Sequence, residues 1–197
     1  CGLHFKLTDF PAVVAAAKSS GARLIDVRNP PTNLPVGTGI KRSGKRVLMV
    51  GTDCAIGKKY AALALHKAMC EAGMKASFRA TGQTGIMLAG EGIPIDSVVA
   101  DFIAGAAELI SPANDEDHWD VIEGQGSIFH PGYSGVSLGL LHGSQPDAFV
   151  ICHDATRTLV SGWEHFTLPS IHEAIDLHAQ LGRRTNPDIR CVGISVN

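Results

Sequence analysis

The residues whose types and spacing point most directly to chemistry are the run Gly51, Thr52, Asp53, Cys54, Ala55, Ile56, Gly57, Lys58 and Lys59. An apolar run at 47–50 precedes it and an Ala- and Leu-rich helical pattern follows. A loop set between a strand and a helix start binds anions, because unpaired N–H groups and the helix dipole both favour negative charge there. Gly57 lets the backbone close around phosphate oxygens, and Lys58 adds a mobile positive charge. The expected ligand is a nucleotide or a nucleotide-bearing cofactor. Two features depart from the G-x4-G-K-[S/T] pattern. Five residues separate the glycines, and Lys59 stands where a Ser or Thr would reach a magnesium ion. A second ammonium suits a metal-free diphosphate better than Mg-ATP.

Ligand-contacting residues of a parallel sheet gather at the carboxyl ends of its strands. Three further segments are expected at such ends. In residues 79–85, Thr81, Gln83 and Thr84 offer hydrogen bonds to a polar ligand. Arg79 suits a substrate carboxylate, or alternatively a structural one. In residues 121–127, Glu123 closes an apolar run, as a general base or beside a metal-linked water. Gln125 and Ser127 are substrate contacts there, and the N–H groups of 124–127 suit an oxyanion. The third segment is Cys152, His153 and Asp154, where an imidazole at a strand end can move a proton near neutral pH. Glu123, His153, His130 and Asp53 are thus the candidate proton acceptors. Cys54 lies where a thiolate would be stabilised, although a small packed side chain fits as well. His142 reads as packing or a helix end. His4, His66, His118, His165, His172 and His178 show no metal-ligand spacing, and no bound metal is expected.

Positioning these groups requires alternating strands and helices. Residues 8–20 read as a helix capped by Thr8 or Asp9, and 23–27 as a strand. A connection rich in Pro, Gly and basic residues follows at 29–45. Strands are expected at 47–50, 76–79, 121–123, 148–152 and 191–196, with helices at 58–72, 95–110, 136–142 and 170–181. Short apolar strands separated by helices predict an α/β fold with a mainly parallel sheet covered by helices on both faces. The connection divides the chain into 1–40, the tail of a preceding domain and its linker, and 41–197, the phosphate-loop domain. A strand at the end of the chain with no cap after it suggests that this domain continues further.

The 197 residues are 45% hydrophobic and 18% charged, an ordinary globular balance. A net charge of -2 favours a small-molecule substrate over nucleic acid or an anionic membrane. No apolar run approaches the roughly 20 residues of a membrane span. Five cysteines without a CxxC pair read as free thiols of a reducing compartment, the cytoplasm.

The loop, followed downstream by Glu123, Gly124 and Gly126, resembles P-loop enzymes of the dethiobiotin synthetase type. The whole set resembles one family more closely. It comprises Gly51 to Lys59, Arg79 to Gly85, Asp101 to Ala106, Glu123 to Ser127 and Gly135 to Gly143. That family was long of unknown function, includes the D-glutamate N-acetyltransferases, and pairs a Rossmann-like domain with a C-terminal P-loop domain. The resemblance implies a P-loop NTPase-like fold, residues 1–40 as the end of the Rossmann-like domain, acetyl-CoA as donor and D-glutamate as acceptor. A coenzyme A diphosphate on the loop would explain the missing magnesium ligand. A homo-oligomer is the expected assembly. Two alternatives stand beside this: an ATP- and magnesium-dependent ligase or kinase, and a nucleotide sensor without turnover.

Overall fold

The computed structural model describes residues 5–197; Cys1 and His4 lie outside the described residues. The strands are β1 (Lys45–Gly51), β2 (Ala76–Arg79), β3 (Trp119–Ile122), β4 (Ala148–His153), β5 (Leu159–Val160), β6 (Trp163–Thr167) and β7 (Arg190–Val196). The helices are α1 (Pro11–Ser20), α2 (Lys58–Glu71), α3 (Gln83–Ala89), α4 (Ile103–Ile110), α5 (Ser134–Ser144) and α6 (Ile171–Gly182). Five strands form one sheet in the order β2-β3-β1-β4-β7. Every pairing in it is parallel, with Val47 opposite both Val121 and Ala148. The fold is therefore the expected P-loop α/β architecture.

Side chains alternate along a strand, so β1 serves two cores. Leu48 and Val50 pack with Ile122, Phe149 and Ile151 against Ile103 of α4, Leu141 of α5 and Ala174 of α6. Val47 and Met49 pack with Val121 and Cys152 against Ala62 and Met69 of α2. Helices thus cover both faces. Each buried Leu, Ile or Phe here removes enough apolar surface to contribute about 1.5–3 kcal/mol, which holds the ends of β1, β3 and β4 in fixed register.

At the opposite edge, Arg46 is 0% exposed and binds the carbonyls of Arg42, Ser43, Ser111 and Pro112. Glu108 of α4 accepts from the N–H groups of Thr38 and Gly39 at 2.8 and 3.0 Å. These bonds lay residues 34–46 along α4 and the amino edge of the sheet.

Four local expectations are corrected. Residues 23–27 form no strand: no neighbouring strand pairs with them, Ile25 is 65% exposed, and Asp26 turns its carboxylate back to Arg28 N at 3.1 Å. The helix at 8–20 begins only at Pro11, with Phe10 at its cap, so neither Thr8 nor Asp9 caps it. The helix expected at 95–110 is broken into two 3-10 turns, Ile95–Ser97 and Ala100–Phe102, before α4. Ile95 is pulled into the core while its N–H bonds Thr81 O at 2.9 Å, which ties the first turn to the sheet edge. The segment 79–85, expected to lie at a strand end, is helical from Gln83 onward as part of α3. The β5–β6 hairpin has no counterpart in the sequence reading.

Candidate active site at the carboxyl edge

Lys58 opens α2 and Gly57 caps it at φ 98°, the left-handed region that favours glycine. Ala55 takes φ 52°, uncommon for a residue with a Cβ. Two left-handed residues within three positions fold the loop back on itself. Among the described residues, no acceptor meets the N–H groups of Ala55, Ile56, Gly57 or Lys58. A curl of unpaired N–H groups at a helix start is an anion cradle.

The cationic and acidic side chains sit close by. Lys58 is 7% exposed, and its Nζ donates to Asp53 O at 2.7 Å. Burial lowers its pKa from the ordinary lysine value. Lys59 lies over the ring of Tyr60 at 4.5 Å and is close enough to Glu123 to favour its charged form. Asp53 is fully buried. Its Oδ1 accepts from Cys54 N at 2.7 Å, and its Oδ2 from Arg157 Nη1 at 2.8 Å and Ser161 N at 2.9 Å. Arg157 Nη1 also donates to Cys54 O at 2.9 Å. Burial pushes the Cys54 thiol up, against the stabilising charge of Lys58, so the thiol form is favoured.

Around this loop the strand ends supply the remaining candidates. Thr52 Oγ1 lies 3.0 Å from His153 Nδ1 at the end of β4, and Ser127 Oγ donates to Gly51 O at 3.0 Å. His130 is buried, stacked on Tyr133 at 4.4 Å and edge-on to Trp163 at 4.5 Å. Its Nδ1 accepts from Gly132 N at 3.1 Å. Asp53, Cys54 and His130 bring an oxygen, a sulfur and a nitrogen within 4.8 Å of one another. Both Asp53 oxygens are already hydrogen-bonded, and the Arg157 guanidinium would repel a cation placed there. The donor set does not suit a metal.

Glu123, one residue past β3, is 3% exposed. Its Oε2 accepts from Thr81 N and Gly82 N at 3.0 Å each, at the start of α3. Burial raises its pKa, opposed by those two N–H groups. Gly82 and Gly85 close around the carboxylate; a Cβ on Gly85 would collide with Oε2. Thr81 Oγ1 donates to Glu123 O at 2.7 Å, and Gln125 Nε2 to Thr81 Oγ1 at 3.1 Å. Gly124 lies against Met49 O and Lys58 Cδ, which joins the β3 end to the loop.

Three substrate candidates fall elsewhere. Arg79 turns back along the sheet and donates Nε to the buried Asp120 at 2.7 Å, the structural pairing. Gln83 lines a separate cleft with Phe5, Leu7, Ile25 and Met87, and Thr84 is exposed. Arg157 was missed by the sequence reading. The signal available was modest: it is the one Lys or Arg between 148 and 162, three positions after Asp154.

Residues 35–197 match a family profile described as a domain of unknown function, DUF1611_C, P-loop domain. The chain belongs to the DUF1611 family. Two curated relatives are named D-glutamate N-acetyltransferase. The one from a Pseudoalteromonas species is 55% identical over 196 residues and the one from Tritonibacter scottomollicae 52%. Both alignments cover 100% of this chain but 59% of the relative, so the chain spans about three fifths of their length. The crystal structure of a DUF1611 family protein from Anabaena variabilis superposes with a TM-score of 0.89 at 40% identity, over 100% of this chain and 58% of that one. A nucleotide-binding protein from Archaeoglobus fulgidus in complex with ADP reaches 0.51 at 15% identity, over 77% of this chain and 65% of its own. That likeness shows the fold alone.

Proposed function

We propose that the chain is the P-loop part of an N-acetyltransferase that moves an acetyl group from acetyl-CoA to the amine of a D-amino acid, D-glutamate in particular. The observation that carries this reading is identity of 55% and 52%, along the full chain, to relatives named for that activity. The loop supports it independently. Its unpaired N–H groups with Lys58 and Lys59 fit a diphosphate, and no hydroxyl follows Lys58 to ligate magnesium.

Acetyl-CoA would supply the activated thioester; the chain supplies binding and proton management. The N–H groups of residues 55–58, with Lys58 and Lys59, would hold the diphosphate; those of Thr52 and Cys54 are already bound to Cys152 O and Asp53 Oδ1. Of the four proton-acceptor candidates we assign the role to His153. Glu123 has Oε2 committed to two N–H groups, Asp53 has both oxygens committed, and His130 is enclosed between two rings. His153 is half-buried at a strand end with its ring anchored at Nδ1. When Nδ1–H donates to Thr52 Oγ1, Nε2 keeps the lone pair that accepts a proton from the substrate ammonium. The N–H groups of Gly124 to Ser127, without a carbonyl partner among the described residues, are the donors that would stabilise an oxyanion.

Calorimetric titration with acetyl-CoA and with ATP, each with and without magnesium, tests the reading. Magnesium-independent binding of acetyl-CoA, with acetylation of D-glutamate by the same preparation, is the expected result. Magnesium-dependent ATP binding with no affinity for acetyl-CoA would replace it with the ligase or kinase reading.

A further inference from the structure

We infer that Arg157 is a positioning residue for the phosphate loop: it holds the peptide planes after Cys54 and Ala55 so that their N–H groups face the anion. The inference rests on the loop's role as an anion site. Arg157 comes from the segment between β4 and the β5–β6 hairpin, and its side chain is 23% exposed. Nη1 binds Cys54 O at 2.9 Å, and Nη2 lies 3.5 Å from Ala55 O. The carbonyl and amide of one planar peptide point in opposite directions. Carbonyls 54 and 55 drawn toward the guanidinium therefore turn the N–H groups of Ala55 and Ile56 away from it. Those two N–H groups have no acceptor among the described residues.

The loop requires such a restraint. Ala55 at φ 52° occupies a region that a residue with a Cβ visits only when its surroundings over-determine it. The guanidinium is in turn fixed by the buried Asp53 Oδ2 at 2.8 Å, and Ser161 N of the hairpin turn binds the same oxygen at 2.9 Å. Asp53, Arg157 and Ser161 thus form a brace behind the cradle. A planar fork reaches a carboxylate and two carbonyls together; a lysine ammonium in its place would keep the charge beside Asp53 but not that geometry.

Two variants test this, R157K and R157A, with inorganic pyrophosphate and acetyl-CoA as separate probes. The expected result is that both bind pyrophosphate roughly tenfold more weakly, as when charge-assisted donors are misdirected, while R157K keeps its thermal midpoint. In ligand-free R157K, the amide resonances of Ala55 and Ile56 should already be displaced. Wild-type affinity in R157K would overturn the inference, because charge alone would then suffice. Lost affinity with undisturbed amide resonances would also overturn it, making Arg157 a direct ligand contact. If the unmodified protein binds pyrophosphate but not acetyl-CoA, the acetyltransferase reading fails and the role of Arg157 is still tested. Loss of binding in K58A but not in R157K sinks this inference alone.

Discussion

Lys58 carries the largest single electrostatic consequence at the residue scale. In the free loop its ammonium is buried and satisfied by Asp53 O alone. Substitution by Ala should weaken acetyl-CoA binding about 100-fold, the loss of one or two charge-assisted hydrogen bonds, without lowering the thermal midpoint. Unchanged affinity by calorimetry would remove the loop from the site. The depressed pKa fixes a sign as well. An anion needs the charged form, so affinity should fall as pH rises toward and through the lowered pKa, at values below 10.5. Titrations in buffers of different ionisation enthalpy should then show proton uptake on binding. The pKa of Glu123 shifts in the other direction, with a decline on the same side. Its folded pKa is raised, so its contribution to stability is full below 4.5 and is lost as pH rises through the folded value. Glu123→Gln should remove that decline, read as a smaller difference in urea unfolding free energy between pH 4.5 and pH 7.

At the scale of elements, α6 and α3 show how far local sequence reaches. Ser170 accepts from Glu173 N at 3.2 Å while Glu173 Oε2 accepts from Ser170 N at 2.7 Å, a complete capping box. Everything needed to start α6 lies within four residues, and the helix was legible. Ser170→Ala should cost about 1 kcal/mol in urea unfolding; no change would show that packing against β4 alone starts the helix. The start of α3 has no such local cap. Its N–H groups at Thr81 and Gly82 are met by Glu123, more than 40 positions away in sequence, and without that partner nothing local marks a helix start there.

Across the whole molecule, the segment before β1 is held by side chains rather than by the sheet. Glu108 gathers Thr38 N, Thr38 Oγ1 and Gly39 N, while Arg42 and Arg46 converge on Ser111 O. Burial lowers Arg42 to about 10, still charged at neutral pH. Glu108→Ala should speed amide hydrogen exchange at residues 36–42 and cost about 0.5–1.5 kcal/mol for the lost hydrogen bonds of the exposed Thr38 and Gly39, with β1 still protected. Equal exchange in both proteins would show that the apolar contacts of Leu34 and the close fit of Gly37 on Ala104 suffice. Among the described residues, no helix is long and apolar enough to cross a membrane.

The sequence by itself determined the parallel α/β fold, the phosphate loop and the five strands of the sheet. Each rests on short-range information: a strand-like run of three to six residues, a glycine-lysine turn, a helical period. The break of 95–110, the irregular path of 23–27 and the helix at 83–89 were decided by tertiary contacts that local propensity does not contain. The same holds for the site. Gly51 to Lys59 could be read as one contiguous loop, but its brace could not. Asp53 meets Arg157 only because β4 lies next to β1, which brings residues 104 positions apart to 2.8 Å. Arg79 was withdrawn from the edge for the same kind of reason: a buried carboxylate at Asp120 needs a partner, and the desolvated charge takes the nearest guanidinium.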